Sequence, residues 1–305
     1  MLPNNNKTII NKLAKNSVKT NKKQYAILFF TIILSSFMLF CVFTIGMTYL
    51  DSSRLQNTRL NGAEYDIAAI NGFTSEQLNT LRQNEHIRSV GIESYAGFIQ
   101  STEYDETVEV GLLWCDEVFW DNLMSPARTK LDGHYPQNKN ELMVTKDILK
   151  TCGNENLSVG DSLILTYANN TGVYTDEFII SGIWDGYGDT SAGFVSKAFF
   201  DETGYDLKND GILCIKLNRN YVFPATIQSI EKSLDFSDRQ IFAPTSYIEN
   251  SFKLLLGICG LALVICLSAY LLIYNILYLS VSGKIRYYGL LQSLGMTKKQ
   301  LVRFI

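Results

Sequence analysis

The stretch Leu254-Leu-Leu-Gly-Ile-Cys-Gly-Leu-Ala-Leu-Val-Ile-Cys-Leu-Ser-Ala-Tyr-Leu-Leu-Ile-Tyr-Asn-Ile-Leu-Tyr-Leu-Ser-Val-Ser-Gly283 runs for thirty residues without a charge. About 20 apolar residues cross a bilayer core, so this run predicts a membrane-spanning helix. A second run without charge, Gln24 to Leu50, lies near the other end. Both are longer than the roughly 10–14 residues of a buried core helix or a signal-peptide core. Met47-Thr-Tyr-Leu-Asp51 has no small-x-small cleavage site, so the first run reads as an anchor rather than a removed leader.

Charge orients the two runs. Lys7, Lys12, Lys15, Lys19, Lys22 and Lys23 precede the first with no acid among them, and Lys284, Arg286, Lys298, Lys299 and Arg303 follow the second, again without an acid. All thirty acidic residues lie between Asp51 and Glu249, against fifteen basic ones. Short Lys/Arg-rich flanks stay in the cytoplasm, while long loops translocate largely regardless of charge. The expected organisation is therefore a cytoplasmic basic segment 1–24, a membrane helix 25–50, an extracytoplasmic domain 51–251, a membrane helix 252–282 and a cytoplasmic segment 283–305. Both termini face the cytoplasm of a multi-pass cell-membrane protein.

Within 7–23, Ile9, Ile10, Leu13, Ala14 and Val18 fall near one helical face among lysines. This predicts an amphipathic helix on the anionic inner leaflet, with a basic leader that only fixes orientation as the plainer alternative.

The exported segment reads as α+β. Glu64–Ile70 is expected as a strand. Phe73–Leu78 opens a helix with Thr74 as N-cap, Gln77 reaching back and Phe73 stapled to Leu78. Ile87–Ile92 returns as a strand, and Glu141–Thr145 leads through a short helix to Cys152. Val159–Tyr167 and Glu177–Trp184 form a hairpin around Asn169-Asn-Thr-Gly172. Pro224 starts an amphipathic helix carrying Ile227, Ile230 and Leu234, before a strand near Gln240–Ala243. One α+β domain, of one or two lobes, is the expectation.

The chemistry-bearing residues argue against an enzyme. His86 and His134 have no metal-ligand or nucleophile spacing around them. Gly188-Asp-Thr-Ser-Ala-Gly193 is one residue out of register for a nucleophile elbow. Asp185 and Asp189 flank a glycine-rich loop but fall short of a calcium loop, leaving a solvated turn. Gly283-Lys284 lacks the rest of a P-loop, so the chain itself holds no ATP and no other cofactor or metal is expected. No basic patch interleaved with aromatics suggests nucleic acid. Cys41, Cys259 and Cys266 sit in the apolar runs as small hydrophobes. Among Cys115, Cys152 and Cys214 one disulfide is open, and the odd number makes no framework.

Beyond Gly283 the chain reads Lys284-Ile-Arg-Tyr-Tyr-Gly-Leu-Leu-Gln-Ser-Leu-Gly-Met-Thr-Lys-Lys-Gln-Leu301. Gly295 is placed to end one helix in a left-handed conformation. Thr297 can cap the next with Gln300 as reciprocal partner, and Met296 and Leu301 as staple. Lys298 and Lys299 at its first positions oppose the helix dipole, a cost that positive charge at a membrane surface or a partner would offset.

This segment resembles the coupling segment of FtsX-like ABC transporter permeases, aligned on Gly289, Leu290, Leu291, Leu294, Gly295, Gln300 and Leu301, with Arg286 one residue nearer the glycine than in the family's form. Leu13–Lys23 and Ile33-Leu-Ser35 resemble the family's opening helix. Gly133–Val144, Val159-Gly-Asp161 and Phe178–Gly182 resemble a MacB-like extracytoplasmic core domain. The resemblance implies a bacterial permease subunit whose ATP is bound by a separate cytoplasmic ABC ATPase. Gly289, Leu290, Leu291, Leu294, Gly295, Met296, Thr297, Lys298, Lys299 and Gln300 would receive its motion. The implied partners are that ATPase, a second copy or a second permease half, and membrane lipids. The implied cargo is an antimicrobial peptide, lipoprotein, toxin or peptidoglycan-hydrolase regulator. Such permeases have further membrane helices, so a chain ending at Ile305 is expected to be a fragment or a truncated product. The rival expectation is a two-pass sensor with an outer ligand domain; the absence of proline after Pro244 and the short tail speak against the usual sensor linker.

Overall fold

The computed structural model describes residues 12, 15, 16, 19–100, 110–187 and 192–304, with the backbone alone at 300, 303 and 304. It divides into two compact units, one joining residues up to Thr48 with those from Leu255 onward, the other Tyr49–Leu254.

The first unit holds two helices long and apolar enough to cross a membrane. Helix α1 is Lys22–Asn61 and α6 is Ser246–Ser282, so both outrun the charge-free stretches. Nothing in Asp51–Asn61 breaks a helix, and α1 ends only where Gly62 adopts φ +70°. The helices meet where a Cβ on Gly46 would lie 2.6 Å from Ile258 Cδ1, so only a residue without a side chain fits there. The apolar face expected at Ile9, Ile10, Leu13, Ala14 and Val18 lies outside the described residues. Lys12, Lys15, Asn16, Lys19 and Thr20 have helical backbone.

The second unit contains ten strands and four short helices among its described residues. In chain order they are β1 Ile67–Ile70, α2 Ser75–Gln83, β2 Ile87–Ile99, β3 Val110–Cys115, β4 Arg128–Gly133, β5 Glu141–Thr145, α3 Lys146–Thr151, β6 Ser162–Asn169, β7 Gly172–Gly186, β8 Ala192–Val195, α4 Lys197–Phe200, β9 Ile212–Leu217, α5 Pro224–Lys232 and β10 Ile241–Pro244. The sheet order is β10-β1-β9-β2-β3-β8-β5-β7-β4, and β6 pairs with both β2 and β7. Strands β2, β3, β8, β5, β7 and β6 therefore close a ring, from which β9-β1-β10 and β4 extend.

Gly97 makes that closure possible. Strand β2 pairs with β9 through Ile87–Glu93, then with β6 at Phe98 and Ile99. The register shifts between Tyr95 and Gly97. Gly97 has φ +154°, and a Cβ there would lie 2.7 Å from the Ala168 carbonyl oxygen. A side chain would push β6 away at the bend. The two outer strands are protected as exposed edges usually are: β10 ends in Pro244, and β4 exposes Lys130 and Asp132.

Several local expectations hold. Thr74 Oγ1 accepts from the Gln77 amide at 3.1 Å and Gln77 Oε1 from the Thr74 amide at 2.9 Å, a reciprocal capping box. The β6–β7 hairpin turns at Asn169–Gly172, where Asn169 Oδ1 accepts from the Thr171 and Gly172 amides. Helix α5 starts at Pro224 and buries Ile227 and Ile230.

Others are corrected. The strand expected from Glu64 begins at Ile67, because the carboxylates of Glu64 and Asp66 turn to Lys216 and the Glu64 amide donates to the Leu123 carbonyl. Asp185 lies in β7 opposite Lys130 rather than in a solvated turn; 188–191, including Asp189, lie outside the described residues. All six thiols are free. Cys115 on β3 and Cys214 on β9 flank β2, paired with Glu93 and Gly91, so at least two strand spacings of about 4.8 Å separate them, beyond the roughly 7 Å that a disulfide spans between Cα atoms.

Two apolar clusters cover the sheet. The larger gathers Leu81, Leu112, Leu142, Phe178, Phe200 and Ile230. The other packs Cys115, Met143, Trp184, Phe194 and Cys214 under a π-helical turn, Val118–Leu123, through Phe119, Trp120 and Leu123.

Candidate coupling segment and sites in the sheet unit

After Ser282 the chain forms α7, Ile285–Ser293, and α8, Lys298–Phe304. The joint follows from hydrogen-bond demand. A helix end leaves carbonyls without partners. Here the Gly295 amide donates to the Gln292 carbonyl at 3.0 Å and the Met296 amide to the Leu291 carbonyl at 3.1 Å. That bond pair closes the helix end when the intervening residue is left-handed, and Gly295 has φ +97°. Nothing lies within 4 Å of a Cβ built there, so backbone conformation rather than space restricts the position. Helix α8 begins at Lys298 with no acid in its first turn, and the Leu301 amide donates to the Thr297 carbonyl at 2.9 Å.

The ten residues expected to form the coupling site thus fall on one helix–turn–helix. Gly289 and Leu290 lie on α7, with Leu291 half-buried; Leu294, Gly295, Met296 and Thr297 form the joint; Lys298 and Lys299 open α8. The side chain of Gln300 lies outside the described residues, and with it the expected reciprocal cap. Leu290 and Leu294 are 59% and 76% exposed. Exposed leucines beside exposed cations make an amphiphilic surface.

In the Tyr49–Leu254 unit sequence reasoning missed a buried ion cluster. Lys216, on β9, is 5% exposed and Asp66 1%. The Lys216 ammonium lies 3.3 Å from Asp66 and 3.1 Å from Glu64. Asp66 also accepts from the Leu217 amide at 2.9 Å, and its carbonyl accepts from the Thr245 amide at 2.8 Å, one residue before α6. Burial raises the Asp66 carboxyl, opposed by Lys216 and the Leu217 amide. A cavity of about 390 Å³ opens onto Lys216 and Glu64, rimmed by Arg88 and Asp121. The only signal in the sequence is a lysine inside the apolar run Ile212–Leu217, which reads equally as an edge strand.

A half-buried carboxyl, Glu93, faces the Cys214 thiol at 3.8 Å. Desolvation pushes it up to about 7, against a hydrogen bond from Cys214 that lowers it. A polar cavity of about 430 Å³ beside α2 is lined by Asn71, Lys208, Arg239 and the mutually bonded amides of Gln77 and Gln240. Among the described residues no group of three metal-ligating side chains converges.

No family model matches the chain, and no curated protein matches it. Among solved structures it is similar to the periplasmic region of MacB from Actinobacillus actinomycetemcomitans, at 13% identity over 64% of this chain and 95% of that one, with a TM-score of 0.42. It is also similar to the extracellular domain of the noncanonic ABC-type transporter YknZ from Gram-positive bacteria, at 12% identity over 54% and 87%, with a TM-score of 0.35. Likenesses this distant leave the function to the chain's own residues.

Proposed function

We propose that this chain is a permease subunit of a bacterial ABC complex, spanning the cell membrane by α1 and α6 with both termini in the cytoplasm. A separate cytoplasmic ATPase binds the helix–turn–helix after Ser282, and its ATP-driven motion passes along α6 to the extracytoplasmic α+β domain. The exported or extracted molecule is a peptide, lipoprotein or antimicrobial compound.

The observation that carries this reading is the joint at Gly295. It ends α7 with two amide hydrogen bonds and α8 starts three residues later, presenting Leu290, Leu294, Lys298 and Lys299 to the outside. An orientation signal alone requires only the charges. A surface that must be pushed requires a fixed angle between its two helices, and a left-handed glycine supplies one without a flexible linker.

The test is photocrosslinking in intact membranes from a probe at Leu294, followed by ATPase assay of the purified complex. A cytoplasmic P-loop ATPase is the expected adduct. Gly295→Val, which forces a β-branched residue to positive φ at roughly 1–2 kcal/mol or more, should cut stimulated ATP turnover at least tenfold and leave membrane insertion unchanged. If no ATPase is captured and the variant behaves as wild type, the two-pass sensor reading takes its place.

A further inference from the structure

The polar cavity of about 430 Å³ beside α2 lies wholly within the Tyr49–Leu254 unit and has no part in the proposed function. Three stretches distant in sequence wall it: 71–80, 208–209 and 233–240. A chain of amide hydrogen bonds forms its floor. Gln77 Nε2 donates to the Leu234 carbonyl at 2.9 Å and to Gln240 Oε1 at 3.1 Å. Gln240 Nε2 donates to Gln77 Oε1 at 2.9 Å and to the Gly72 carbonyl at 2.8 Å. The floor therefore runs from Leu234 to Gly72 through two amides that fix each other, neutral and already satisfied.

The rim carries Glu76, Lys208, Asp235 and Arg239, all exposed. Among the described residues none of these four closes an ion pair, although two charges of each sign surround one cavity. Backbone contacts sort them by sign. At the Gly72 end the Asn71 side-chain amide donates to the Arg239 carbonyl at 2.8 Å. The Phe73 amide donates to the Leu207 carbonyl at 3.2 Å, which sets Lys208 at the same end. At the Leu234 end, Asp235 follows the carbonyl that Gln77 binds, and Glu76 precedes Gln77. Two cations thus flank one end of the floor and two acids the other. Each end also holds a left-handed residue, Asn71 with φ +69° and Asp235 with φ +44°. They are the only non-glycine residues of positive φ among the described residues. Backbone conformations of this kind gather at ligand clamps.

We infer that this cavity binds a zwitterionic peptide of two or three residues with both termini free. Its carboxylate lies at Lys208 and Arg239, and its ammonium at Glu76 and Asp235. The lining selects this class over others. A phosphate meets the two acids and a metal ion the two cations, each a repulsion. Leu234 is the one apolar side chain in the lining, too little to cover an apolar ligand. Among the described residues no aromatic ring lines the cavity to stack on a sugar. At about 30 Å³ for each water-sized group, the volume holds roughly fourteen such groups, the size of a dipeptide or a small tripeptide.

The experiment titrates L-alanyl-L-alanine and tri-L-alanine into the full chain in lipid nanodiscs by calorimetry. One site per chain with Kd below about 1 mM is expected for at least one of them. The N-acetyl and the C-terminal amide forms of that peptide each lack one charge. Both should bind about tenfold more weakly, the loss of one charge-assisted hydrogen bond. Arg239→Gln and Asp235→Asn should weaken the parent peptide by a similar factor, and asparagine tolerates the left-handed backbone at 235. Lys130→Gln, on β4, should change nothing. Denaturant unfolding followed by tryptophan fluorescence establishes that each variant is folded. Absence of binding by both parent peptides, equal affinity for the capped and free forms, or full affinity in folded Arg239→Gln and Asp235→Asn overturns the inference. None of these outcomes bears on ATPase capture at Leu294, which tests the proposed function separately.

Discussion

The apolar helices and the Tyr49–Leu254 unit satisfy their polar groups in opposite ways. In α1 the hydroxyls of Thr31 and Ser35 bond carbonyls four residues back. In the sheet unit Lys216 finds Asp66 at a separation of 150 residues, and Gln77 finds Gln240 at 163. A membrane helix completes its backbone bonds within itself because lipid supplies no partners. The sheet unit can leave a buried charge for a distant partner because water competes until the sheet has formed. The first kind of structure tolerates local change; the second is brittle at a few residues that look ordinary.

The largest expected effect breaks the contrast at its most distant pair. Lys216→Met leaves the Asp66 carboxylate buried without its cation and should cost about 3–5 kcal/mol. Lys216→Met with Asp66→Leu should recover much of that loss, since replacing both charges removes the desolvation penalty as well. The fluorescence of Trp114, Trp120 and Trp184, the only three tryptophans in the chain, reports denaturant unfolding of this unit alone. Equal loss in single and double variants would show that packing, and not charge, is what Lys216 supplies.

The next effect is a pH dependence. Burial raises Glu93 to about 7 from an unfolded value near 4.5, so the folded state holds the proton more tightly. That contribution is fully present below about pH 4.5 and is lost as pH rises through about 7. Because the side chain is only half-buried, the amplitude should be about 1–3 kcal/mol. Glu93→Gln should flatten this part of the stability–pH curve; an unchanged slope would place the titrating group elsewhere. The smallest effect is local: Thr74→Ala removes one half of the capping box on α2 and should cost about 1 kcal/mol in the same assay. A larger loss would mean that the Gln77–Gln240 amide pair depends on the cap.

The legible part of the fold is the part governed by short-range rules. The capping box at Thr74 and Gln77, the Asn169–Gly172 hairpin, the Pro224 helix start and the Gly295 joint each involve residues within about five positions. Their hydrogen-bond donors and acceptors can be counted along the chain. Strands β3, β4, β8 and β9 have no counterpart in the sequence reading: a short apolar run such as Ile212–Leu217 fits a buried strand or a helix segment equally well, and β4, with Leu131 as its one large apolar residue, has no strand pattern at all. Nor was the position of Cys214 two strands from Cys115, which depends on the sheet order.

By itself the sequence determined that two uncharged runs must form helices, that the acid-rich segment between them is a separate folded unit, and where the tail after Gly283 turns. Length, charge and capping decide these locally. Only the tertiary structure decided that β6 closes a ring across Gly97, that Lys216 is buried between Glu64 and Asp66, and that Gly46 of α1 packs on Ile258 of α6. Each depends on which distant surfaces meet, and hydrophobic burial rewards many such meetings almost equally until packing and paired charge select one.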